Sequence, residues 1–316
     1  MSFYVPRSGE VLSHDIADYP DGIVLPIDKP YRWTSADVIR KLKWKAIRHF
    51  GKKYLKVGHA GTLDPLATGI LLVCIGDACK KAQMLQDHDK EYIAGIRFGA
   101  TTPSYDLEKE VDRRFPFEHI SAASICAVLP SFLGEQEQVA PLFSAKSVDG
   151  VRAYELARRL YRSGRTDELD ATALDSLQRN KINISELELL SYDSEEAFSS
   201  EPSGALPLHP SHCPAVSGPL PLTRPRAAMG SEENASSESS ASNRINVTDT
   251  SGLGLPEAEV RIACSKGTYI RAFARDLGEA LGSGAHLSSL VRSRSGDFRI
   301  SDALSLDAAL SLFDQL

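Results

Sequence analysis

The chain has 316 residues, of which 42% are hydrophobic and 25% charged, values typical of a globular protein with a sizeable core. No apolar run approaches the ~20 residues that a membrane-spanning helix needs, and the N-terminus lacks the apolar segment of a secretory signal. Five cysteines, without a Cys-x-x-Cys pair, argue against a disulfide framework or a zinc site. We therefore expect a cytoplasmic protein that does not associate with membranes.

The net charge is −6, but the positive charges are concentrated in two stretches. Residues 29–56 hold ten lysines or arginines against a single acid, and residues 261–299 hold seven against three. Such patches, rather than the net charge, determine whether a surface binds phosphate groups. A solvated helix surface has the same composition, so RNA binding is one of two interpretations at this point.

The chain opens with an extension, residues 1–19, and a short predicted strand at 22–30. Thr34 or Ser35 then caps a helix that has Asp37 in its first turn and ends at Gly51. Its apolar residues recur at helical spacing, and its lysines and arginines lie largely on the other faces. This pattern predicts a helix that packs on one side and is basic on the other.

The most informative stretch is residues 56–76, with the sequence KVGHAGTLDPLATGILLVCIG. Its glycines and the pair Asp64-Pro65 predict a tight turn, and the uncharged run 70–75 predicts a strand buried on both faces. A carboxylate would thus be held at the mouth of a core strand. An ordinary turn, in which Asp64 caps its own backbone, is the alternative.

The following segment alternates between helices and strands. A short helix at 78–86 carries Lys80, and a strand at 91–98 has Tyr92 near its start. By position alone, Tyr92 is better explained as a half-buried strand aromatic than as a site residue. After a helix at 120–132, Asp149-Gly150 predicts a hairpin turn, which a basic helix at 152–161 follows. A strand at 181–190 ends this part of the chain.

Residues 194–255 differ in composition from the rest of the chain. They are rich in Ser, Pro, Gly and Ala, show no periodicity, and cannot bury enough apolar surface to offset the entropy of ordering them. We predict a disordered insertion. It contains His209, His212 and Cys213, but a metal site in such a tract is not expected.

Regular structure is expected to return with a strand at 258–264 and a helix that reaches Leu281. Arg271 lies near the start of this helix, in a row with Arg275 and Glu279 at a spacing of four residues. That row alone would make Arg271 an ordinary surface charge. The segment GAHLSSLVR at 284–292 follows.

Several of these segments together resemble the tRNA pseudouridine synthase B family. They are the Lys-Pro and Thr-Ser pattern at 29–35, GHAGTLDPLATG at 58–69, Lys-x-Tyr at 90–92, and CSKGTYIR at 264–271. The resemblance covers roughly residues 20–193 and 257–305 and is to a short form without a C-terminal PUA domain. It implies the pseudouridine-synthase fold, an α/β (α+β) architecture with a central mixed, mostly antiparallel sheet flanked by helices and loops. We expect one catalytic domain, formed by residues 20–193 and 256–316.

The resemblance also implies roles for single residues. The family isomerises uridine 55 in the TΨC arm of tRNA, and its essential aspartate matches Asp64, which an arginine matching Arg271 contacts. Residues expected to bind the extruded uridine or to fill its place are His59, Tyr92, Tyr269 and Leu290. Residues expected to contact the RNA backbone are Lys29, Lys80 and Arg152.

The chain departs from the family pattern at a few positions. Arg32 stands where a glycine is usual, and if that turn needs a positive φ angle, Arg32 requires a local rearrangement. In the loop 99–106, Pro103 replaces an acid, and Lys109 stands where a glycine is usual just beyond it. We expect this loop to be ordered near the site and assign no chemistry to it.

Making pseudouridine breaks the N1–C1′ bond of uridine and joins C5 to C1′. The reaction needs no redox step, hydrolysis or metal, so we expect no cofactor. We expect a monomer that binds tRNA and needs no protein partner. One carboxylate can act as a nucleophile or as a base that removes the C2′ proton. An RNA-binding or tRNA-folding module with lost or secondary catalysis is the alternative function. A zinc deaminase is not expected, because the chain lacks the His-x-Glu and Pro-Cys-x-x-Cys segments of those enzymes.

Overall fold

The computed structural model describes residues 3–144, 147–148, 151–165, 179–194 and 245–314, together with Thr172. The described helices are α1 (Ser35–Phe50), α2 (Ala82–Asp87), α3 (Ala122–Val128), α4 (Ala153–Arg162), α5 (Ile270–Ala280) and α6 (Leu306–Ser311). The described strands are β1 (Ile23–Lys29), β2 (Val57–His59), β3 (Thr68–Ile75), β4 (Lys90–Phe98), β5 (Ala100–Thr101), β6 (Arg113–Arg114), β7 (Gly134–Gln138), β8 (Ser147–Val148), β9 (Val151–Arg152), β10 (Asn180–Asp193), β11 (Glu257–Cys264), β12 (Ala285–Ser295), β13 (Phe298–Arg299) and β14 (Leu304–Ser305).

One mixed sheet organises the domain. Its strand order is β14-β1-β3-β12-β4-β11-β10-β7, with β2 paired to β3 and β13 paired to β12. The pairs β1/β14 and β3/β12 are parallel, and the other described pairs of this sheet are antiparallel. The mixed, mostly antiparallel sheet that the family resemblance implied is confirmed.

The parallel pair β3/β12 is a short seam in the middle of this sheet. Only Thr68 and Gly69 of β3 pair with Val291 and Arg292 of β12. Gly69 has a φ of +93°, and a Cβ atom there would lie 2.3 Å from the carbonyl oxygen of Arg292, so only glycine fits. The turn that carries Asp64 enters the sheet directly before this seam.

Residues 70–75 of β3 are all apolar, and the structure buries them on both faces of the strand. Leu71, Val73 and Ile75 belong to the main core, which also includes residues of α1, α3, α5 and α6. The alternate residues Ile70, Leu72 and Cys74 belong to a second core on the other face of the strand. The strand is therefore covered on both faces, as the sequence predicted.

The predicted ends of α1 agree with the structure. Thr34 accepts a hydrogen bond from the backbone N–H of Asp37, the Asp37 carboxylate bonds back to the Thr34 N–H, and Gly51 has a φ of +60°. Two other predicted helices are shorter than expected. Residues 76–81 and 129–132 are 3₁₀ turns instead, and in the second of these Pro130 lacks the N–H that a continuing helix requires.

The ordered domain extends beyond the boundaries that the sequence suggested. In the N-terminal extension, Leu12 and Ile16 are part of the main core. Residues 245–255, which we expected in the insertion, pack on the domain, since Thr248 N–H donates to Leu107 O at 2.8 Å and Leu255 is buried. Residues 195–244 lie outside the described residues, as does the predicted turn at Asp149-Gly150. Among the described residues, no helix is long and apolar enough to cross a membrane.

Candidate active site

The turn that carries Asp64 is fastened to the domain by hydrogen bonds from neighbouring elements. The Ser35 hydroxyl at the start of α1 accepts a hydrogen bond from Leu63 N–H at 3.0 Å and donates to Leu63 O at 3.1 Å. The backbone N–H of Arg32 donates to Pro65 O at 3.0 Å. Because these bonds flank Asp64 on both sides, the position of its Cα atom is set by the rigid core.

A buried arginine of β12 adds a second set of contacts to this turn. Arg292 is 1% exposed, and its Nε donates to Ile70 O at 2.6 Å while Nη2 donates to Gly61 O at 3.2 Å. The two carbonyls lie before and after Asp64, so one guanidinium ties the two stems of the turn together. No role for Arg292 was expected from the sequence, in which it is one of several polar residues of the strand segment 285–295.

Asp64 and Arg271 form a two-point ion pair although 207 residues separate them. Arg271 Nε lies 2.8 Å from Asp64 Oδ2, and Nη2 lies 3.1 Å from Oδ1. The Arg271 side chain is 7% exposed and that of Asp64 is 36% exposed. The paired contact fixes the plane of the carboxylate, and Asp64 remains open to a ligand. The structure thus brings together the two residues that the sequence singled out most strongly.

The loop to which we assigned no chemistry supplies a second carboxylate. Asp106 Oδ2 lies 3.8 Å from Arg271 Nε, and Arg271 Nη1 donates to Ser104 O at 3.1 Å. Burial raises the pKa of Asp106, and the charge of Arg271 acts in the opposite direction. Burial alone would lower the pKa of Arg271, but Asp64 and Asp106 outweigh it and raise that pKa. Arg271 is therefore a permanently charged group held between two carboxylates.

A cleft that is open to solvent lies beside these charges. Its charged side consists of Asp64, Asp106 and Arg271, and its apolar side of Leu66, Ala67, Leu107, Leu287 and Leu290. A flat apolar ring with polar edges suits such a site, because one face can lie on leucine while an edge meets the carboxylate. Leu290 thus lines the cleft together with Asp64.

Tyr92 and His59 are not among the described lining residues of the cleft. Tyr92 is a buried residue of β4 whose phenol lies beside Arg292, and burial raises its pKa. His59 ends β2, its Nδ1 is buried without a partner, and burial and then Arg292 lower its pKa. The charge of Asp64 acts on Tyr92, which places that ring close to the site. Their expected contacts with uridine stay predictions.

Tyr269 stands at the start of α5, two residues before Arg271. The side chain of Gln138 accepts from its N–H at 2.8 Å and donates to its carbonyl at 3.2 Å. Its ring packs on a small separate core that includes Val139 and Phe143. Tyr269 is also outside the described lining of the cleft, so its expected role stays a prediction.

The expectation that Lys29 contacts RNA is wrong. Lys29 is fully buried, and its Nζ donates to Pro30 O at 2.9 Å, Trp33 O at 2.6 Å and Pro65 O at 3.2 Å. Burial lowers its pKa to about 7, which the charges of Asp64 and Asp28 partly oppose. Lys29 begins a basic stretch of the sequence, but the fold directs three carbonyls at its ammonium. It fastens the Asp64 turn instead.

The other two expected RNA contacts are not decided. Lys80 is exposed, and its ammonium pairs with Asp77 at 2.9 Å. Arg152 ends β9, and its side chain lies outside the described part of the structure. Both stay predictions.

The departures from the family pattern need no rearrangement. Arg32 adopts a φ of +63°, so this position does take the conformation that favours glycine, at a cost of about 1–3 kcal/mol. Its guanidinium donates to Ile245 O at 2.7 Å. Lys109 is not among the residues with positive φ, and its ammonium lies 5.6 and 5.4 Å from the rings of Phe143 and Tyr161.

In the described ranges, no group of three or more His, Cys, Asp or Glu side chains is placed to hold a metal ion. The segment with His209, His212 and Cys213 lies outside those ranges.

Comparisons with known proteins agree with the motifs. Residues 48–201 match the family described as TruB family pseudouridylate synthase (N terminal domain). The tRNA pseudouridine synthase B of Phocaeicola vulgatus is 40% identical over 298 residues, which cover 94% of this chain and 96% of that protein. The protein of the same name from Flavobacterium johnsoniae is 37% identical, with 92% of this chain and 95% of that protein covered.

A solved structure supports the fold. One chain in the crystal structure of a Cbf5-Nop10-Gar1 complex matches with a TM-score of 0.50 and 22% identity. The match covers 91% of this chain and 53% of that chain, about half of its length. At this identity the likeness concerns the fold alone, and the family follows from the curated relatives. The chain belongs to the TruB family of pseudouridylate synthases.

Proposed function

We propose that this protein isomerises uridine 55 in the TΨC arm of tRNA to pseudouridine and that Asp64 is its catalytic residue. The observation that carries the proposal is the two-point contact between Asp64 and Arg271 at the edge of an open cleft. Membership of the TruB family supports the reaction type, and the names of the relatives support the substrate.

The target uridine is stacked inside the folded RNA arm, so it must leave the stack before Asp64 can reach it. Unstacking costs a few kcal/mol, which a pocket that receives the ring offsets. The apolar side of the cleft, with Leu287 and Leu290, suits one face of the base. We propose that Tyr92 supports the other face once the base has entered, and that His59 fills the space it leaves.

In the reaction, the N1–C1′ bond breaks, the uracil turns within the cleft, and C5 bonds to C1′ while the C5 proton leaves to solvent. Asp64 is the half-open carboxylate at the cleft, and it acts either as a nucleophile or as the base that removes the C2′ proton. Arg271 orients this carboxylate with two hydrogen bonds and is itself held by Ser104 O and Asp106. The positioning is thus complete before the substrate binds.

We further propose that the enzyme acts in the cytoplasm as a monomer, without a cofactor and without an obligate protein partner. What supports a self-sufficient chain is that Asp64, Arg271, Asp106 and the apolar wall all belong to it. The Cbf5 chain was solved in a complex with Nop10 and Gar1, so co-purification of this protein with a stoichiometric partner would contradict the proposal.

Release of tritium from tRNA that carries 5-tritiated uridine tests the function. Wild type should release tritium, and Asp64→Asn should release none while it binds tRNA within a few fold of wild type. The matched control is Asp302→Asn, at an exposed position, which should keep wild-type turnover. Near-normal release by Asp64→Asn would remove that residue from the mechanism. Binding of tRNA by wild type without any release would leave only the RNA-binding module.

A further inference from the structure

Helix α1 presents a surface that the proposed function does not use. Arg40, Lys43, Trp44 and Arg48 are all exposed; Lys43 and Trp44 lie three and four residues after Arg40, and Arg48 lies four residues after Trp44. Residues at these spacings lie on one face of a helix. We call these four residues the α1 stripe. The opposite face of α1, with Val38, Leu42, Ala46 and Phe50, is buried in the main core.

The stripe lies in the most basic part of the chain. Residues 38–56 contain eight lysines or arginines and neither aspartate nor glutamate. Asp37, just before this segment, pairs with Arg40 at 2.7 Å. A run of cations along one helix face creates a positive field that attracts phosphate groups.

The aromatic residue in the stripe distinguishes it from an ordinary solvated face. Trp44 is 55% exposed, and the guanidinium of Arg48 lies 4.6 Å from the centroid of its ring. This cation–π contact restrains the indole at the surface. Just past the helix end, Tyr54 is 87% exposed with the ammonium of Lys53 at 5.7 Å. Alternating cations and exposed rings bind nucleic acids, because phosphates meet the cations and bases stack on the rings.

The position of the stripe relative to Asp64 suits a long RNA substrate. Ser35, the first residue of α1, bonds to Leu63 beside Asp64. At 1.5 Å per residue, Arg40 and Arg48 lie about 8 and about 20 Å along the axis from Ser35. An RNA whose uridine enters the cleft can therefore reach the stripe with another part of its backbone.

Cations from neighbouring elements converge on the same side. The backbone N–H of Gly76, which begins the turn before α2, donates to Lys56 O at 2.9 Å, so the loop after α1 lies beside this turn. Lys80 is an exposed residue of the same turn. The α1 stripe, the loop after α1 and the turn before α2 thus contribute to one basic surface.

We propose that the α1 stripe binds a part of the substrate tRNA outside the catalytic cleft. Arg40, Lys43 and Arg48 neutralise phosphates, and Trp44 stacks on an unpaired base or a ribose. The inference rests on the proposed function, because it takes tRNA as the occupant. Charge complementarity favours RNA over an apolar partner, since the stripe residues around Trp44 are all cations.

The test compares two variants with wild type. In one, Arg40, Lys43 and Arg48 are all replaced by glutamine, and the other is Trp44→Ala. Binding of an unmodified tRNA transcript is measured between about 50 and 200 mM salt, because the salt dependence counts the phosphates neutralised. Tritium release is measured at saturating enzyme. A matched control replaces three exposed arginines outside the two basic stretches, Arg7, Arg114 and Arg179, by glutamine.

We expect the triple variant to bind at least about ten-fold more weakly, with the slope of log Kd against log salt reduced by about two to three. Trp44→Ala should bind at least about five-fold more weakly with an unchanged slope. Both variants should release tritium at the wild-type rate at saturating enzyme. Both should also unfold at the wild-type temperature, since the changed side chains are exposed. The control triple should bind within two-fold of wild type.

Three results would overturn the proposal: wild-type affinity in both variants, an equal loss in the control triple, or a wild-type dimer that Trp44→Ala dissociates. In the last case the stripe would be a subunit interface. If wild type itself neither binds tRNA nor releases tritium, the proposed function fails and the stripe proposal fails with it. If wild type is active and the variants match it, only the stripe proposal fails.

Discussion

Replacing Arg292 with methionine would remove the clamp on the Asp64 turn and keep an unbranched side chain. The carbonyls of Ile70 and Gly61 would lose donors that now lie at 2.6 and 3.2 Å. A buried acceptor left without a partner costs about 1–3 kcal/mol, so the two lose about 2–6 kcal/mol. The variant no longer buries the charge of Arg292, and this offsets part of the lost free energy. We expect the free energy of unfolding to fall by about 2–4 kcal/mol.

The same change should slow catalysis, because the stems of the turn are then free to shift. A displacement of about 1 Å at a reacting group lowers the rate by about 10²-fold, so we expect at least a ten-fold loss in single-turnover tritium release. Urea unfolding measures the stability. The control is Arg294→Met on the same strand, where Nη1 makes only a 3.4 Å contact with Gly296 O. Equal effects of the two variants, or wild-type stability in Arg292→Met, would refute the clamp.

Three further predictions follow from the same geometry. Arg271→Lys cannot donate two parallel bonds to Asp64, so kcat should fall about 10²-fold with tRNA affinity little changed, and an unchanged kcat would contradict this. Gly69→Ala places a methyl group 2.3 Å from the Arg292 carbonyl oxygen, at a φ of +93°. The free energy of unfolding should fall by more than about 3 kcal/mol, measured by thermal or urea unfolding. Wild-type stability in this variant would contradict the close approach of β3 and β12. The pKa of Lys29 is about 7 in the folded protein, whereas its ordinary value is 10.5. Between these pH values the unfolded chain therefore binds more protons than the folded one. The free energy of unfolding of wild type, relative to that of Lys29→Met, should accordingly rise from pH 7 to about 9. A flat or falling difference would show that Lys29 stays charged.

Features with a local signal were predictable from the sequence. The cap at Thr34 and the end of α1 at Gly51 depend on residues within one turn of the helix. The two-faced burial of β3 follows from an uncharged run. The sheet architecture came from the family resemblance, because strand order depends on pairings between distant segments.

Features that depend on buried charges were not predictable. Lys29 and Arg292 are polar by residue type, and each is buried only because carbonyls from other segments surround it. Asp106 joins Arg271 across 165 positions of sequence, so no local pattern marks it as part of the site. The ordered segment 245–255 has the composition of a loop and is held by contacts such as Arg97 Nη1 to Thr250 Oγ1 at 2.7 Å.

The central claim is that Asp64, held by Arg271, makes pseudouridine at position 55 of tRNA. The most direct measurement maps pseudouridine in tRNA from cells that lack this protein and from the same cells supplied with wild type or Asp64→Asn. The account predicts that the modification at position 55 is absent without the protein, returns with wild type, and stays absent with the variant. Pseudouridine at that position in the deficient cells, or its return with Asp64→Asn, would contradict the account.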